Sequence, residues 1–240
     1  TENLASKGYV VLAADHTDST YADGGVFTST LLNRPLDILF MIDQAAELSQ
    51  ADADSVLAGL ANADLTAIVG YSMGGYGALN AAGAGFTQAA VDLPWGVPGG
   101  LLAVRQPGNP DYLASMDERI QAVVALAPWG REAGFWDAES LAGLTVPVLF
   151  VAGNKDTVSG YENGTRLIFE EAVNADRYLL TFKEARHNVA PNPPPAEAYD
   201  NPVEFTHFSE PVWDAARRNN IVQHFVTAFL GIHLKGEDYG

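Results

Sequence analysis

Short unbroken apolar runs alternate along the chain with longer segments of helical periodicity. The runs are Gly8–Ala14, Leu65–Val69, Ala122–Leu126, Val146–Val151 and Tyr178–Phe182. A strand open to solvent on one face alternates apolar and polar residues, whereas a strand covered on both faces reads as one apolar stretch. These segments therefore predict strands of a mostly parallel sheet lying between helices. Pro35–Leu48 predicts a helix with proline near its start and Leu36, Leu39, Phe40 and Ile42 as apolar positions. Residues 74–84, small and apolar, and residues 160–173 predict two more. A last helix is expected over about Glu210–Leu230, where Ile221, Phe225 and Phe229 recur at four-residue spacing beside Val222, Val226 and Leu230. Strand and helix in alternation give an α/β architecture.

Two stretches break the rhythm. Residues 86–118 contain Pro94, Pro98, Pro107 and Pro110 with several glycines, an insertion of the kind that forms a lid or pocket wall. Residues 191–202 hold five prolines and read as a loop. There is no internal repeat and no linker, and 240 residues suit a single domain over 1–240.

The candidate chemistry begins where the run Leu65–Val69 ends. Gly70-Tyr71-Ser72-Met73-Gly74 is a G-x-S-x-G sequence between a predicted strand and a predicted helix. In that context the turn is sharp enough to strain the serine backbone and lift its hydroxyl above the sheet edge. Side chains at the flanking positions are expected to clash, so Gly70 and Gly74 are the residues the turn asks for. The Met73 N–H, at the helix start, points where an oxyanion would form. A serine hydroxyl is a weak nucleophile and needs a base held in place by an acid. Asp156 follows the run Val146–Val151 and His187 follows Tyr178–Phe182, so both fall at the same sheet edge as Ser72, in the chain order serine, acid, base. Asp137 is the alternative acid. Among the other histidines, His224 and His233 fall in or after the last helix, His207 lies in the loop before it, and His16 follows the first run and is expected to line the pocket with Thr17 and Tyr71. Trp129 and Trp95 are candidate pocket walls.

Charge and composition remove several alternatives. A net charge of −17 leaves no basic face for phosphates, which speaks against nucleic-acid binding and against anionic membrane surfaces. With no cysteine there are no disulfides, no thiolate metal sites and no cysteine nucleophile. No apolar run is long enough to span a bilayer. The partner is a small-molecule substrate, and compartment and oligomeric state are left open.

The chain also resembles a known group, the bacterial α/β-hydrolases of the dienelactone-hydrolase-like kind, which are similar to platelet-activating-factor acetylhydrolases. The stretches that carry the resemblance are 4–11, Asp15–Ser19, Asn33–Asp37, the turn around Ser72, Ala125–Gly130, Pro147–Thr157, and Asn219–Ile221 with His224 and Phe225. The resemblance implies an α/β-hydrolase fold and hydrolysis of carboxylic esters by Ser72, Asp156 and His187, with no metal or organic cofactor. Related possibilities are a phospholipase A2-like acetylhydrolase and a hydrolase of polyesters or lactones. True dienelactone hydrolases use a cysteine nucleophile, so dienelactone chemistry is not carried over. The group's domains begin with further strands, and a loop after one of them supplies a second oxyanion N–H, usually near a His-Gly pair that this chain lacks. That strand would lie between Tyr9–Ala14 and Leu65–Val69, so the expectation is a C-terminal portion of a longer protein; a chain standing alone would have an oxyanion hole half built. A hydrolase-like fold that binds a small molecule without turning it over is the alternative from another class.

Overall fold

The computed structural model describes residues 1–20, 27–51 and 54–238. Its strands are β1 (Thr66–Tyr71), β2 (Ile120–Leu126), β3 (Val148–Gly153) and β4 (Arg177–Phe182), paired in parallel in the order β1-β2-β3-β4. The helices are α1 (Glu2–Ala5), α2 (Phe27–Leu48), α3 (Met73–Ala81), α4 (Gln88–Val91), α5 (Pro110–Ala114), α6 (Arg166–Glu171), α7 (Pro202–Phe208) and α8 (Ala215–Lys235).

The apolar runs are continuous because successive residues serve two different cores. Val123 and Ala125 of β2, with Val148 and Phe150 of β3, face the core built with α2, α3 and α6. Ala122, Val124 and Leu126, with Leu149 and Val151, face the second core, closed by Val222, Val226, Phe229 and Leu230 of α8. A one-residue slip would exchange the two sets, so register and core composition specify each other.

The first apolar run departs from expectation. Residues 9–14 form no strand, and Val10 and Leu12 are 43% and 44% exposed. An apolar run becomes a strand only where a neighbour completes its hydrogen bonds, and β1 lies at the edge of the described sheet, paired to β2 alone. The segment is held from its start instead: the Lys235 ammonium sits 4.0 Å over the Tyr9 ring and donates to the Lys7 carbonyl at 2.6 Å.

Helix α2 starts eight residues before Pro35 and carries that proline inside it. Pro35 has no N–H for the carbonyl of Leu31, one turn earlier. The Tyr76 hydroxyl, from α3, donates to that carbonyl at 2.8 Å. A tertiary donor thus replaces the missing helical one, which is why the proline does not end the helix. In α8 the buried stripe is Val222, Val226, Phe229 and Leu230, so of the expected Ile221–Phe225–Phe229 row Phe229 lies in the seam while Phe225 is 45% exposed. The proline-rich stretch is less irregular than expected: Asn201 caps α7 by accepting from the amides of Val203 and Glu204, with Pro202 in its first turn.

Insertion 86–118 contains α4, α5 and a 3-10 segment over Pro98–Arg105. It is pinned to loop 134–140 by Thr87, whose amide donates to Phe135 O at 3.1 Å and whose hydroxyl donates to Gly134 O at 2.6 Å. The buried Arg105 guanidinium ties it to the Asn80 carbonyl, and Trp136 Nε1 donates to the Asn80 side chain at 3.0 Å.

Replacing Tyr76 with phenylalanine leaves the buried Leu31 carbonyl without this donor. A loss of about 1–3 kcal/mol is expected, read as a thermal midpoint lower by about 2–4 °C per kcal/mol. An unchanged midpoint would mean the proline is accommodated some other way.

Candidate active site

Because all four strands run in parallel, their C-terminal ends open on one edge, and the loops leaving β1, β2, β3 and β4 gather there. Ser72 follows β1 directly, at φ 54° and ψ −113°. The sequence imposes this conformation by leaving no room for a gentler turn. A Cβ on Gly70 would overlap the carbonyl oxygen of Gly74, and a Cβ on Gly75 would sit 2.8 Å from Pro128 Cα. Gly74 is different from what its place in the motif suggests: nothing lies within 4 Å of where its Cβ would be. The glycines demanded by close approach are Gly70 and Gly75, since α3 must pass against the loop after β2.

The strained residue is fixed on both sides. Its amide donates to Leu126 O at 2.9 Å, and its carbonyl accepts from Tyr76 N at 3.0 Å and Trp129 N at 3.2 Å. At the start of α3 the Met73 amide has no acceptor among the described residues. It is an unsatisfied donor at the positive end of a helix, next to the serine hydroxyl.

The structure brings Ser72, His187 and Asp156 into one hydrogen-bonded line. Ser72 Oγ lies 3.0 Å from His187 Nε2, and His187 Nδ1 lies 2.9 Å from Asp156 Oδ2. The Asp156 side chain is fully buried and that of His187 is 14% exposed. Asp156 Oδ1 accepts from the amides of Val158 and Ser159 at 2.8 and 3.1 Å. These bonds hold the carboxylate with its other oxygen toward the imidazole. Ser159, which the sequence reading did not single out, also donates its hydroxyl to Ala127 O at 2.8 Å, tying the Asp156 loop to the end of β2. Tyr71 lies against His187, the ring centroids 5.1 Å apart at 34°.

Trp129 begins beside the elbow through its amide bond to Ser72. Its ring meets Phe27 edge-on at 5.4 Å, and Phe27 lies 6.3 Å from Trp95. Phe27 and Trp95 are 46% and 49% exposed. His16 is half-buried and paired with Asp37 of α2 at 2.8 Å, and Thr17 is exposed in the adjoining turn. Neither forms a hydrogen bond with the Ser72 line among the described residues. Asp137, the alternative acid, is engaged elsewhere, accepting from Ser140 N at 2.8 Å. The His233 ring lies 4.6 Å from that of Phe229, tilted by 58°, and His224 is exposed on α8. Among the described residues no group of three or more His, Cys, Asp or Glu side chains is placed to hold a metal ion, and no helix is long and apolar enough to cross a membrane.

No protein-family model matches the chain. Two curated proteins similar to it are the cutinases est1 and est2 of Thermobifida alba, each 24% identical over 192 residues, or 80% of this chain. The alignments cover 48% and 47% of those proteins, so the chain spans about half the length of the curated relatives it matches. Their likeness and the parallel sheet flanked by helices identify the architecture as the α/β-hydrolase fold.

Two glycine substitutions separate the close approach from the bare motif. Gly70→Ala is expected to cost several kcal/mol or to prevent folding, as the backbone it would strike cannot yield. Gly74→Ala, filling open space in a helix, should leave stability within about 1 kcal/mol of wild type. Equal losses for the two in urea denaturation would contradict this geometry.

Proposed function

We propose that the chain carries the centre of a carboxylic-ester hydrolase working by two-step acyl transfer, with Ser72 as nucleophile, His187 as base and Asp156 as the orienting acid. One observation carries the reading: the continuous line of hydrogen bonds from Ser72 Oγ through the His187 ring to the buried Asp156, starting at a serine in left-handed backbone.

In this mechanism Ser72 Oγ attacks the ester carbonyl as His187 Nε2 takes its proton. The Asp156 carboxylate, restrained by two amides, accepts the Nδ1–H and offsets the charge of the imidazolium that forms. The Met73 amide donates to the developing oxyanion. His187 then gives its proton to the leaving alcohol. In the second half it takes a proton from water, whose oxygen attacks the acyl carbonyl, and returns that proton to Ser72 Oγ as the bond from the acyl carbon to Oγ breaks and the carboxylic acid leaves.

The cutinase names of the similar proteins favour a polyester substrate over the phospholipid-like and lactone alternatives. The exposed aromatic pair Phe27 and Trp95 beside Trp129 suits an extended apolar chain better than a small polar ester. His16 and Thr17 have no part in this reading, and insertion 86–118 supplies a pocket wall through Trp95.

Ser72→Ala should bring hydrolysis of p-nitrophenyl esters to the uncatalysed background with an unchanged circular dichroism spectrum and thermal midpoint. Asp156→Asn, which leaves the histidine in the wrong tautomer, should lower kcat by about 10⁴-fold. Turnover that survives in the Ser72 variant would refute the assignment.

A further inference from the structure

The residue before the nucleophile and the residue after the base are joined side chain to side chain. Tyr71 immediately precedes Ser72, and Asn188 immediately follows His187. The Tyr71 hydroxyl donates to Asn188 Oδ1 at 3.0 Å and approaches the His187 carbonyl at 3.4 Å. Asn188 is itself braced from behind, since its Nδ2 donates to Thr206 O at 2.7 Å and to Ser209 O at 2.8 Å. The segment it braces against is held by the fully buried Arg218, whose Nη2 donates to Phe208 O at 3.3 Å and to Pro191 O at 2.9 Å. Arg218 thus links the far end of the histidine loop to the 206–209 segment, and Asn188 links its near end to the elbow.

We propose that Tyr71 and Asn188 are positioning residues that set the distance between Ser72 Oγ and His187 Nε2, joining the nucleophile's turn to the base's loop by one hydrogen bond. The inference rests on the acyl-transfer reading of Ser72 and His187. It gives Tyr71 a role different from lining a substrate pocket, because its hydroxyl is spent on the histidine loop. The elbow and the histidine loop leave non-adjacent strands, β1 and β4, at opposite edges of the described sheet. The backbone pairing of neighbouring strands therefore does not fix their separation directly, and a cross-loop bond supplies what the sheet does not. Burial pushes the Tyr71 phenol well above its ordinary range, so it remains a donor throughout the working pH range of an esterase.

The test is the steady-state kinetics of Tyr71→Phe, Asn188→Ala and the double variant on a p-nitrophenyl ester, with thermal midpoints measured alongside. Tyr71→Phe keeps the ring against His187 and removes only the hydroxyl. Each single variant should lower kcat about tenfold at unchanged KM, the scale expected when a reacting pair loses its alignment. The double variant should fall no further than the lower single one, because both remove the same bond. A wild-type kcat in Tyr71→Phe, with or without a lower thermal midpoint, would overturn the proposal and leave the bond a structural brace. A raised KM at constant kcat would overturn it in favour of a pocket-wall role. If Asn188→Ala does not fold, Tyr71→Phe alone decides the matter. Absence of turnover in the wild-type chain would overturn the acyl-transfer reading and this proposal with it, whereas an active wild type with unaffected variants overturns this proposal alone.

Discussion

The backbone of Ser72 is held at φ 54° and ψ −113°, a region that non-glycine residues rarely occupy, and the architecture around it is arranged to enforce that conformation. A conformation of this kind costs on the order of 1–3 kcal/mol and persists only where its surroundings over-determine it. Here β2 and the loop after it supply the determination, by accepting the serine amide at Leu126 and donating to its carbonyl from Trp129. Gly75 lets α3 close on Pro128, and Gly70 lets the turn pass under Gly74. The outcome is a hydroxyl at a helix start, above a sheet edge, beside an amide with no acceptor among the described residues.

The same edge assembles the rest of the site from separate loops, each fixed by a short-range bond with a clear cause. The Asp156 loop is closed by the carboxylate on its own downstream amides and fastened to β2 through Ser159. The His187 loop is fastened to the elbow through Tyr71 and to the 206–209 segment through Asn188 and Arg218. On the far side of α3, Tyr76 serves α2 by donating to a carbonyl that Pro35 cannot satisfy. The helix that begins at Ser72 is thereby locked against the next layer.

Legibility in the sequence follows the range of the interaction that decides each feature. β2 and β3 are readable because burial on both faces leaves a local mark, and β1 and β4 carry the mark although Val69 and Tyr178 are exposed. Gly8–Ala14 carries the same mark without becoming a strand, since strand formation depends on a neighbour and not on composition. The start of α2 is hidden because Pro35 reads as a helix opening, while the hydroxyl that satisfies the Leu31 carbonyl comes from 45 residues further along the chain. Ser72, Asp156 and His187 can be singled out as candidates by chain order and strand-end position. Asn188 cannot, as its partner lies 117 residues away and an asparagine after a strand ordinarily signals only a turn. Gly74 fits the motif, yet the close contact belongs to Gly75, a difference that appears only when the two backbones are placed together.

Activation of Ser72 by His187 is the central claim, and site-resolved labelling tests it most directly. The protein would be reacted with a fluorophosphonate and its peptides mapped by mass spectrometry, beside a His187→Ala variant. The account predicts a single phosphonyl adduct on Ser72 in the wild type and its loss in the variant. An unlabelled wild type, an adduct on another residue, or equal labelling of Ser72 without the histidine would contradict it.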